Sequence, residues 1–301
     1  MSMSSITTTA ARTTTITRIA DYFELTKPRI AALVLVCVAA GAFVSSWGQF
    51  EPLVLIHALV GTALIAASAS GFNHWIERHS DARMTRTASR PLPAGRLRVG
   101  EVIAFSVVCG IAGFAYLLLL VNWLAALVGL ATWITYVLLY TPLKSRTPFN
   151  THVGAVSGAL PVLIGAAAVS GRLEPALALF GILLFWQFPH FMAIAWIYRE
   201  EYARAGLKMS PVVDPSGRSA GLSAVLNALV LLPLSYFAVA HYPPWEAGVF
   251  LISALVLGAG QLACALAFCW RRDVASARRL LRASLIYLPA ILLLLIALPL
   301  L

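Results

Sequence analysis

The chain has 301 residues, of which 60% are hydrophobic and only 11% are charged, and its formal net charge is +10. Soluble domains carry about 25% charged residues, so this composition excludes an ordinary soluble domain. The basic residues lie in short loops between apolar segments, which favours a positive-inside membrane protein over a nucleic-acid-binding protein.

The N-terminal segment is rich in Ser and Thr, and no apolar segment begins before Pro28. A cleavable signal peptide would place an apolar core within this stretch. We therefore expect a disordered cytosolic tail over residues 1–25, with an organellar transit peptide as the alternative. A single transmembrane domain is expected over residues 26–301.

The apolar segments that follow are long enough to cross a bilayer, which requires about 20 residues in a helix. The sequence therefore predicts an all-α, polytopic membrane bundle of about nine transmembrane helices. The predicted spans are residues 30–50, 53–75, 101–121, 123–141, 152–170, 176–197, 219–240, 245–269 and 281–300.

The basic residues alternate with these spans. All but one of the 22 Lys and Arg fall on one side of the predicted bundle, and Arg172 alone falls on the other. The positive-inside rule then predicts a cytosolic N-terminus and cytosolic long loops at residues 76–100 and 198–218. Because binding residues concentrate on long loops, we expect any chemistry to face the cytosol.

Polar side chains recur at a helical spacing near the end of the second span. Asn73, Glu77 and Asp81 are four residues apart and share one helix face. Acidic groups at this depth usually face a cavity, an ion or a partner. The alternative is that the two carboxylates only pair with neighbouring arginines at the headgroup level.

Arginines directly follow these acids, at Arg83, Arg86, Arg90 and Arg96. Acids beside several cations indicate a metal-bridged polyanion such as a diphosphate. Mg²⁺ takes one or two carboxylates together with phosphate oxygens, and arginine binds phosphate in bidentate fashion.

A second acidic pair, Glu200 and Glu201, follows the sixth span, and Lys208 comes shortly after it. Two helices on the same side thus end in acids followed by bases, which suits metal sites flanking one diphosphate. A solvated headgroup anchor is the alternative, and the pair taken alone favours it.

The fifth and sixth spans also carry histidines and aromatic residues close to this side. A lone histidine such as His152 or His190 is more often a hydrogen-bonded polar group than a ligand. Inside a membrane bundle, however, burying a polar group is costly, which favours a functional role. Trp196 and Tyr198 are either interface anchors or inward-facing rings that stabilise a cationic intermediate. Gly154, Gly158 and Gly165 form a small-residue stripe that predicts close helix packing.

With these residues the chain resembles the UbiA-type intramembrane prenyltransferases. The resemblance lies in the stripe from Asn73 to Asp81 and the Arg-Pro-Leu-Pro-Ala-Gly-Arg run that follows it. Further stretches resemble the protohaem IX farnesyltransferases (haem O synthases) of that superfamily, in family order. They are residues 21–29, 84–87, 140–150, 158–161, 188–191 and 201–209. The chain departs from the family pattern at His79, where a further acid is common, and at Glu200 and Glu201, where Asp is usual.

The resemblance implies a nine-helix bundle with a cytosol-facing cavity, Mg²⁺ as cofactor and farnesyl diphosphate as co-substrate. It implies transfer of the farnesyl group to the vinyl group of haem B, giving haem O for terminal oxidases. On this hypothesis the metal ligands are Asn73, Glu77, Asp81, Glu200 and Glu201. The diphosphate contacts are Arg83, Arg86, Arg90, Lys144, Arg146 and Lys208. The haem or isoprenoid contacts are His152, His190, Trp196 and Tyr198.

The implied partners are farnesyl diphosphate, haem B and membrane lipid, with haem A synthase or terminal-oxidase assembly factors as further partners and no nucleic acid. The expected location is the bacterial plasma (inner) membrane with the active site facing the cytoplasm, and the mitochondrial inner membrane is the alternative. Two other functions stay open. One is an aromatic-ring polyprenyltransferase of the same superfamily, and the other is a non-enzymatic haem or isoprenoid transporter.

Overall fold

The structure is a computed structural model that describes residues 15–46, 49–240 and 242–297. Over these residues it is helical and contains no strand. The helices are α1 (Thr15–Leu25), α2 (Pro28–Ser46), α3 (Pro52–Asp81), α4 (Val99–Leu120), α5 (Trp123–Ile134), α6 (Thr141–Leu143), α7 (Asn150–Ala159), α8 (Pro161–Ser170), α9 (Leu177–Ile197), α10 (Arg199–Arg204), α11 (Ser210–Val213), α12 (Arg218–Ala238), α13 (Pro244–Arg271) and α14 (Val274–Ala297). A π-helical turn at Thr135–Tyr140 joins α5 to α6, and a 3₁₀ turn at Glu174–Ala176 precedes α9.

Nine helical segments of the described chain are long and apolar enough to span a membrane. The predicted all-α bundle of about nine spans is thereby confirmed, and the protein is an integral membrane protein. Two boundaries differ most from the prediction. The second span continues to Asp81, and the ninth begins at Val274. Both extensions are polar. Hydropathy marks only the apolar core of the membrane, whereas a helix can continue past that core into the headgroup region.

The N-terminal tail needs a correction. Residues 15–25 form α1, so the expected disorder does not hold for the last part of 1–25. The helix is amphipathic: Leu25 and Asp21 are buried, whereas Ile19 and Phe23 are exposed. Its polar side is bound to the bundle by ion pairs, which hydropathy alone does not reveal. Residues 1–14 lie outside the described part of the chain.

Helices α2 and α8 pack backbone to backbone. A Cβ atom on Gly165 would overlap the carbonyl oxygen of Val38, and a Cβ on Gly41 would overlap that of Val162. The predicted close packing of the glycine stripe is confirmed at Gly165, because only a residue without a side chain fits such an approach.

The basic loops gather at one end of the bundle, where hydrogen bonds and ion pairs connect them. These contacts are Arg96 with Asp21 and Glu24, Lys144 with Glu77, Arg86 with the Tyr202 hydroxyl, the Lys208 amide with the Lys144 carbonyl, and Arg272 with the Ser216 carbonyl. The acidic motifs that were predicted from the sequence lie at this same end.

Candidate active site

The first acidic motif is buried at the end of α3. The exposed fractions of Asn73, Glu77 and Asp81 are 0%, 9% and 1%. All three side chains lie on one face of a single helix because α3 continues unbroken to Asp81. Two carboxylates are thus withdrawn from water, which requires cationic partners.

Each of these three side chains contacts one basic side chain from another part of the chain. The pairs are Lys27 Nζ with Asn73 Oδ1 at 2.5 Å, Lys144 Nζ with Glu77 Oε1 at 2.7 Å, and Arg90 Nη1 with Asp81 Oδ2 at 2.7 Å. Three basic side chains and two carboxylates therefore form a cluster with one more basic group than acidic groups. The predicted phosphate-binding residues Arg90 and Lys144 belong to this cluster.

The donor set suits a divalent cation. Asp81 Oδ1 is buried and has no hydrogen-bond partner among the described residues. An unsatisfied carboxylate oxygen beside a second carboxylate and an amide oxygen offers the hard oxygen ligands that Mg²⁺ prefers. The described residues contain no group of three or more His, Cys, Asp or Glu that could hold a metal by themselves. The protein would therefore supply only part of a coordination shell, and water and substrate oxygens would complete it.

A π-helical turn brings the end of the fourth span toward this cluster. Thr141 Oγ1 donates to the Tyr136 carbonyl at 2.8 Å and accepts from Asn73 Nδ2 at 3.2 Å. One turn further, Lys144 Nζ lies 4.5 Å from the centroid of the Tyr140 ring. Such π-turns occur frequently at functional sites, because the extra residue changes which side chains share a face. Here Thr141 and Lys144 both reach α3.

The two lysines differ in electrostatic environment. Burial and then the nearby Arg90 charge lower the pKa of Lys27 to about 7. Burial also acts to lower the pKa of Lys144, but the Glu77 carboxylate and Tyr140 outweigh it and raise that pKa well above its usual value. The difference follows from the partners, since Lys144 contacts a carboxylate and Lys27 contacts a neutral amide.

The second acidic motif approaches the first through Arg86. The backbone amide of Arg86 lies 3.5 Å from Glu201 Oε2, at the limit of a hydrogen bond, and its guanidinium donates to the Tyr202 hydroxyl at 3.3 Å. The same guanidinium lies 4.9 Å from the centroid of the Tyr198 ring. The structure thus brings Glu201 and Tyr198 to the loop that follows α3.

The structure places the two glutamates of the predicted pair, Glu200 and Glu201, in different environments. Glu200 is 84% exposed in its side chain and lies 3.6 Å from Arg199 Nη2. Adjacent residues of a helix point about 100° apart, so α10 can direct only one of the two toward the first motif. The structure does not bring Glu200 to the cluster.

The remaining predicted phosphate contacts are four basic residues in the loops at the same end of the bundle as the acidic motifs. Arg83, Arg86, Arg146 and Lys208 are exposed. The Lys208 backbone has a structural role, because its amide donates to the Lys144 carbonyl at 2.7 Å and its carbonyl accepts from Asn150 Nδ2 at 3.2 Å. The loop that carries Lys144 is thereby tied to the second motif.

The predicted haem-contact residues occupy four different environments. His190 is half-buried, and its Nδ1 lies 3.0 Å from Ser284 Oγ. His152 is exposed and stacks on Phe149 with ring centroids 4.7 Å apart. Trp196 is 6% exposed and packs among core residues of the C-terminal helices. Tyr198 contacts Arg86, as described above.

Sequence reasoning missed two residues of the cluster, Lys27 and Thr141. Lys27 lies within the 21–29 stretch that carries part of the family resemblance, so a signal was present without an assigned role. Thr141 follows the π-turn, and a change of helix register leaves no mark in hydropathy.

An apolar cavity of about 410 Å³ lies between α3, α4 and α5. Phe72, which precedes Asn73, lines it together with Trp133, whose Nε1 donates to Ser68 Oγ at 3.0 Å. The lining residues Val107 and Ile111 are exposed on the bundle surface, so the cavity opens on the apolar side of the bundle. An apolar chain fits such a lining.

Comparisons with known proteins give consistent matches. The model of the UbiA prenyltransferase family matches residues 34–295. A protein of Solibacter usitatus named "Protoheme IX farnesyltransferase" is 44% identical over 281 residues, which cover 90% of this chain and 96% of that protein.

Solved structures share the fold. One solved structure is described as "Structural and mechanistic insights into the biosynthesis of Digeranylgeranylglyceryl phosphate synthase in membranes". Its TM-score is 0.77 at 18% identity, and the match covers 94% of this chain and 98% of the other. A UbiA homolog from Archaeoglobus fulgidus, bound to DMAPP and Mg²⁺, has a TM-score of 0.67 at 17% identity, covering 92% and 99%.

Proposed function

The chain belongs to the UbiA prenyltransferase family, and from this membership we propose that it transfers the farnesyl group of farnesyl diphosphate to a vinyl group of haem B, giving haem O. The observation that carries the chemistry is the buried stripe of Asn73, Glu77 and Asp81, matched by three cations at the polar end of an apolar bundle. The name of the relative from Solibacter usitatus supports the choice of haem as acceptor.

The site would hold Mg²⁺ at two positions that flank the diphosphate, one bound by Asn73, Glu77 and Asp81 and the other by Glu201 together with phosphate oxygens and water. The buried Asp81 Oδ1 without a partner supports this assignment, and so does the Mg²⁺ in the Archaeoglobus fulgidus homolog. When bound, the ion supplies a template and neutralises the charge that develops on the leaving diphosphate.

The diphosphate lies between the two acidic motifs, where Arg86, Arg90 and Lys144 bind its oxygens. Arg90 and Lys144 are close to the carboxylates and half-buried, so they act in a water-poor setting where charge contacts are strong. Arg83, Arg146 and Lys208 are exposed. Their positive charge steers the anionic substrate toward the site.

Reaction begins with cleavage of the allylic C–O bond, and its electron pair leaves with the diphosphate. The vinyl π electrons of haem then form the new C–C bond at C1 of the farnesyl group. Water adds to the resulting cationic carbon beside the porphyrin and loses a proton. The rings of Tyr140 and Tyr198 lie beside Lys144 and Arg86, where an aromatic face also stabilises positive charge on the allylic carbon.

The isoprenoid chain extends into the apolar cavity beside Phe72, which opens toward the lipid-facing surface. Burial of the chain excludes stray water from the allylic cation. Haem contacts His190 and His152 near the cytosolic ends of α9 and α7. Ser284 orients the His190 ring, as outer partners of haem- or metal-binding histidines do.

The site faces the cytoplasm of a bacterial plasma membrane, because the basic loops gather at the end of the bundle that carries it. Haem A synthase or terminal-oxidase assembly factors are the expected partners, since they use or receive the product.

The test is to incubate membranes that contain the protein with haem B, farnesyl diphosphate and Mg²⁺, and to analyse the haem by mass spectrometry. We expect a haem heavier by one hydroxyfarnesyl unit, and we expect chelation of the divalent cation to abolish its formation. Prenylation of hydroxybenzoate with unchanged haem would instead establish an aromatic-ring acceptor. If diphosphate is not released in a metal-dependent way with either acceptor, the proposal that the protein is an enzyme is rejected.

A further inference from the structure

The junction between α1 and α2 holds a lysine in an unfavourable backbone conformation. Lys27 has φ +53° and immediately precedes Pro28. A residue before proline favours an extended backbone, and a positive φ is costly for any residue with a Cβ. Such a conformation persists where the surrounding structure enforces it, and it concentrates at functional sites.

The surrounding structure does enforce it. Arg96 binds the carboxylates of Asp21 and Glu24 on α1, and Ser70 Oγ donates to the Leu25 carbonyl at 2.7 Å. Leu25 is completely buried. These contacts hold α1 on the bundle as far as Leu25, two residues before Lys27, and α2 begins at Pro28, the residue directly after Lys27. The lysine side chain is therefore directed inward from both sides of the junction.

Its ammonium group lies in the cluster described above. Lys27 Nζ donates to Asn73 Oδ1 at 2.5 Å, while Asn73 Nδ2 donates to Thr141. An ammonium has three donors, and the Asn73 oxygen takes one of them. Whereas Lys144 and Arg90 each form an ion pair with a carboxylate, the hydrogen bond that Lys27 makes among the described residues is to a neutral amide, so the cluster has one more basic group than carboxylates.

We propose that Lys27 is a catalytic residue that binds the diphosphate directly, and this inference rests on the proposed function. A divalent cation held by Asn73 Oδ1 would repel the ammonium group from that oxygen. The multiply charged diphosphate bound at the same place offers it new acceptors. The 21–29 stretch, whose role the sequence left unassigned, then serves to deliver this charge.

The decisive comparison is between charge and hydrogen bonding at position 27. Lys27→Gln keeps a donor for Asn73 but loses the charge, Lys27→Met loses both, and Lys27→Arg keeps both. Arg29→Gln is the matched control, because Arg29 is an exposed cation two residues away. Calorimetry would measure binding of farnesyl thiodiphosphate with Mg²⁺ to each full-length variant in detergent micelles. Thermal unfolding of the same samples reports folding.

We expect Lys27→Gln and Lys27→Met to weaken binding of the thiodiphosphate roughly 10- to 100-fold, as loss of a charge-assisted hydrogen bond predicts. Lys27→Arg should restore most of the affinity, and Arg29→Gln should change it less than about threefold. Wild-type affinity in Lys27→Gln would overturn the proposal, because a neutral donor would then suffice and Lys27 would only position Asn73. An equal loss of affinity in Arg29→Gln would overturn it too, because the effect would then come from any positive charge in this segment and not from Lys27 itself.

The binding probe contains no acceptor, so the result does not depend on haem. A wild-type protein that binds the thiodiphosphate but leaves haem unchanged would reject the proposed acceptor and keep the role of Lys27. A wild-type protein that does not bind the probe would reject both proposals.

Discussion

The ion pair between Glu77 and Lys144 gives a test in which stability and activity respond differently. The two side chains are 10% and 16% exposed and lie 2.7 Å apart. At an effective dielectric constant of about 20 their attraction is about 6 kcal/mol, part of which desolvation offsets. The change Glu77→Gln leaves Lys144 buried without its carboxylate and leaves three cations opposite one remaining carboxylate.

We expect Glu77→Gln to lower the free energy of unfolding by about 3–5 kcal/mol, which is the usual result of removing one partner of a buried pair. The double change Glu77→Gln with Lys144→Met removes both charges and should recover most of this loss. Neither variant should form haem O, because both lack a ligand for the metal. Unfolding would be followed in detergent micelles without divalent cation, and turnover in reconstituted membranes.

Glu101→Gln is the control for this series. Glu101 also forms a close ion pair, with Arg18, but the two side chains are 31% and 41% exposed. Solvent screening makes such an exposed pair weak, so Glu101→Gln should change the free energy of unfolding little. The reasoning fails if Glu77→Gln is no less stable than Glu101→Gln, or if the double variant is no more stable than Glu77→Gln. Full turnover by Glu77→Gln would contradict the metal assignment.

Two further predictions follow from the packing and the second motif. Gly165→Ala should destabilise the protein by about 1–3 kcal/mol, because its Cβ would overlap the Val38 backbone across the α2–α8 contact. Gly260→Ala, on α13 with open space around the new methyl group, should be neutral or stabilising in the same unfolding assay, and equal losses at both sites would contradict the close approach. Glu201→Gln should lower kcat/KM at least roughly tenfold, as loss of a ligand or of its orienting shell does, while Glu200→Gln should retain wild-type turnover. The reverse order of the two glutamate variants would show that α10 presents the other carboxylate to the site.

The sequence by itself determined the features that depend on local composition. The nine spans follow from runs of apolar residues, and the single basic side follows from where Lys and Arg interrupt them. The shared face of Asn73, Glu77 and Asp81 follows from a spacing of four on one helix, which needs no knowledge of the rest of the fold. The ordered short motifs indicated the family, and the family model that matches residues 34–295 confirms it.

Only the tertiary structure decided which charges meet. Lys27 and Asn73 are 46 residues apart, and their contact depends on how α1 docks and on the turn before Pro28. The separation of Glu201 from Glu200 depends on the rotation of α10 about its axis, and the reach of Thr141 depends on a π-turn. Hydropathy and residue spacing determine how deep a residue lies in the membrane and which face of its own helix it occupies. The rotation of one helix relative to another is set by packing, such as the glycine contact between α2 and α8. The partners of a buried charge therefore emerge only once the helices are assembled.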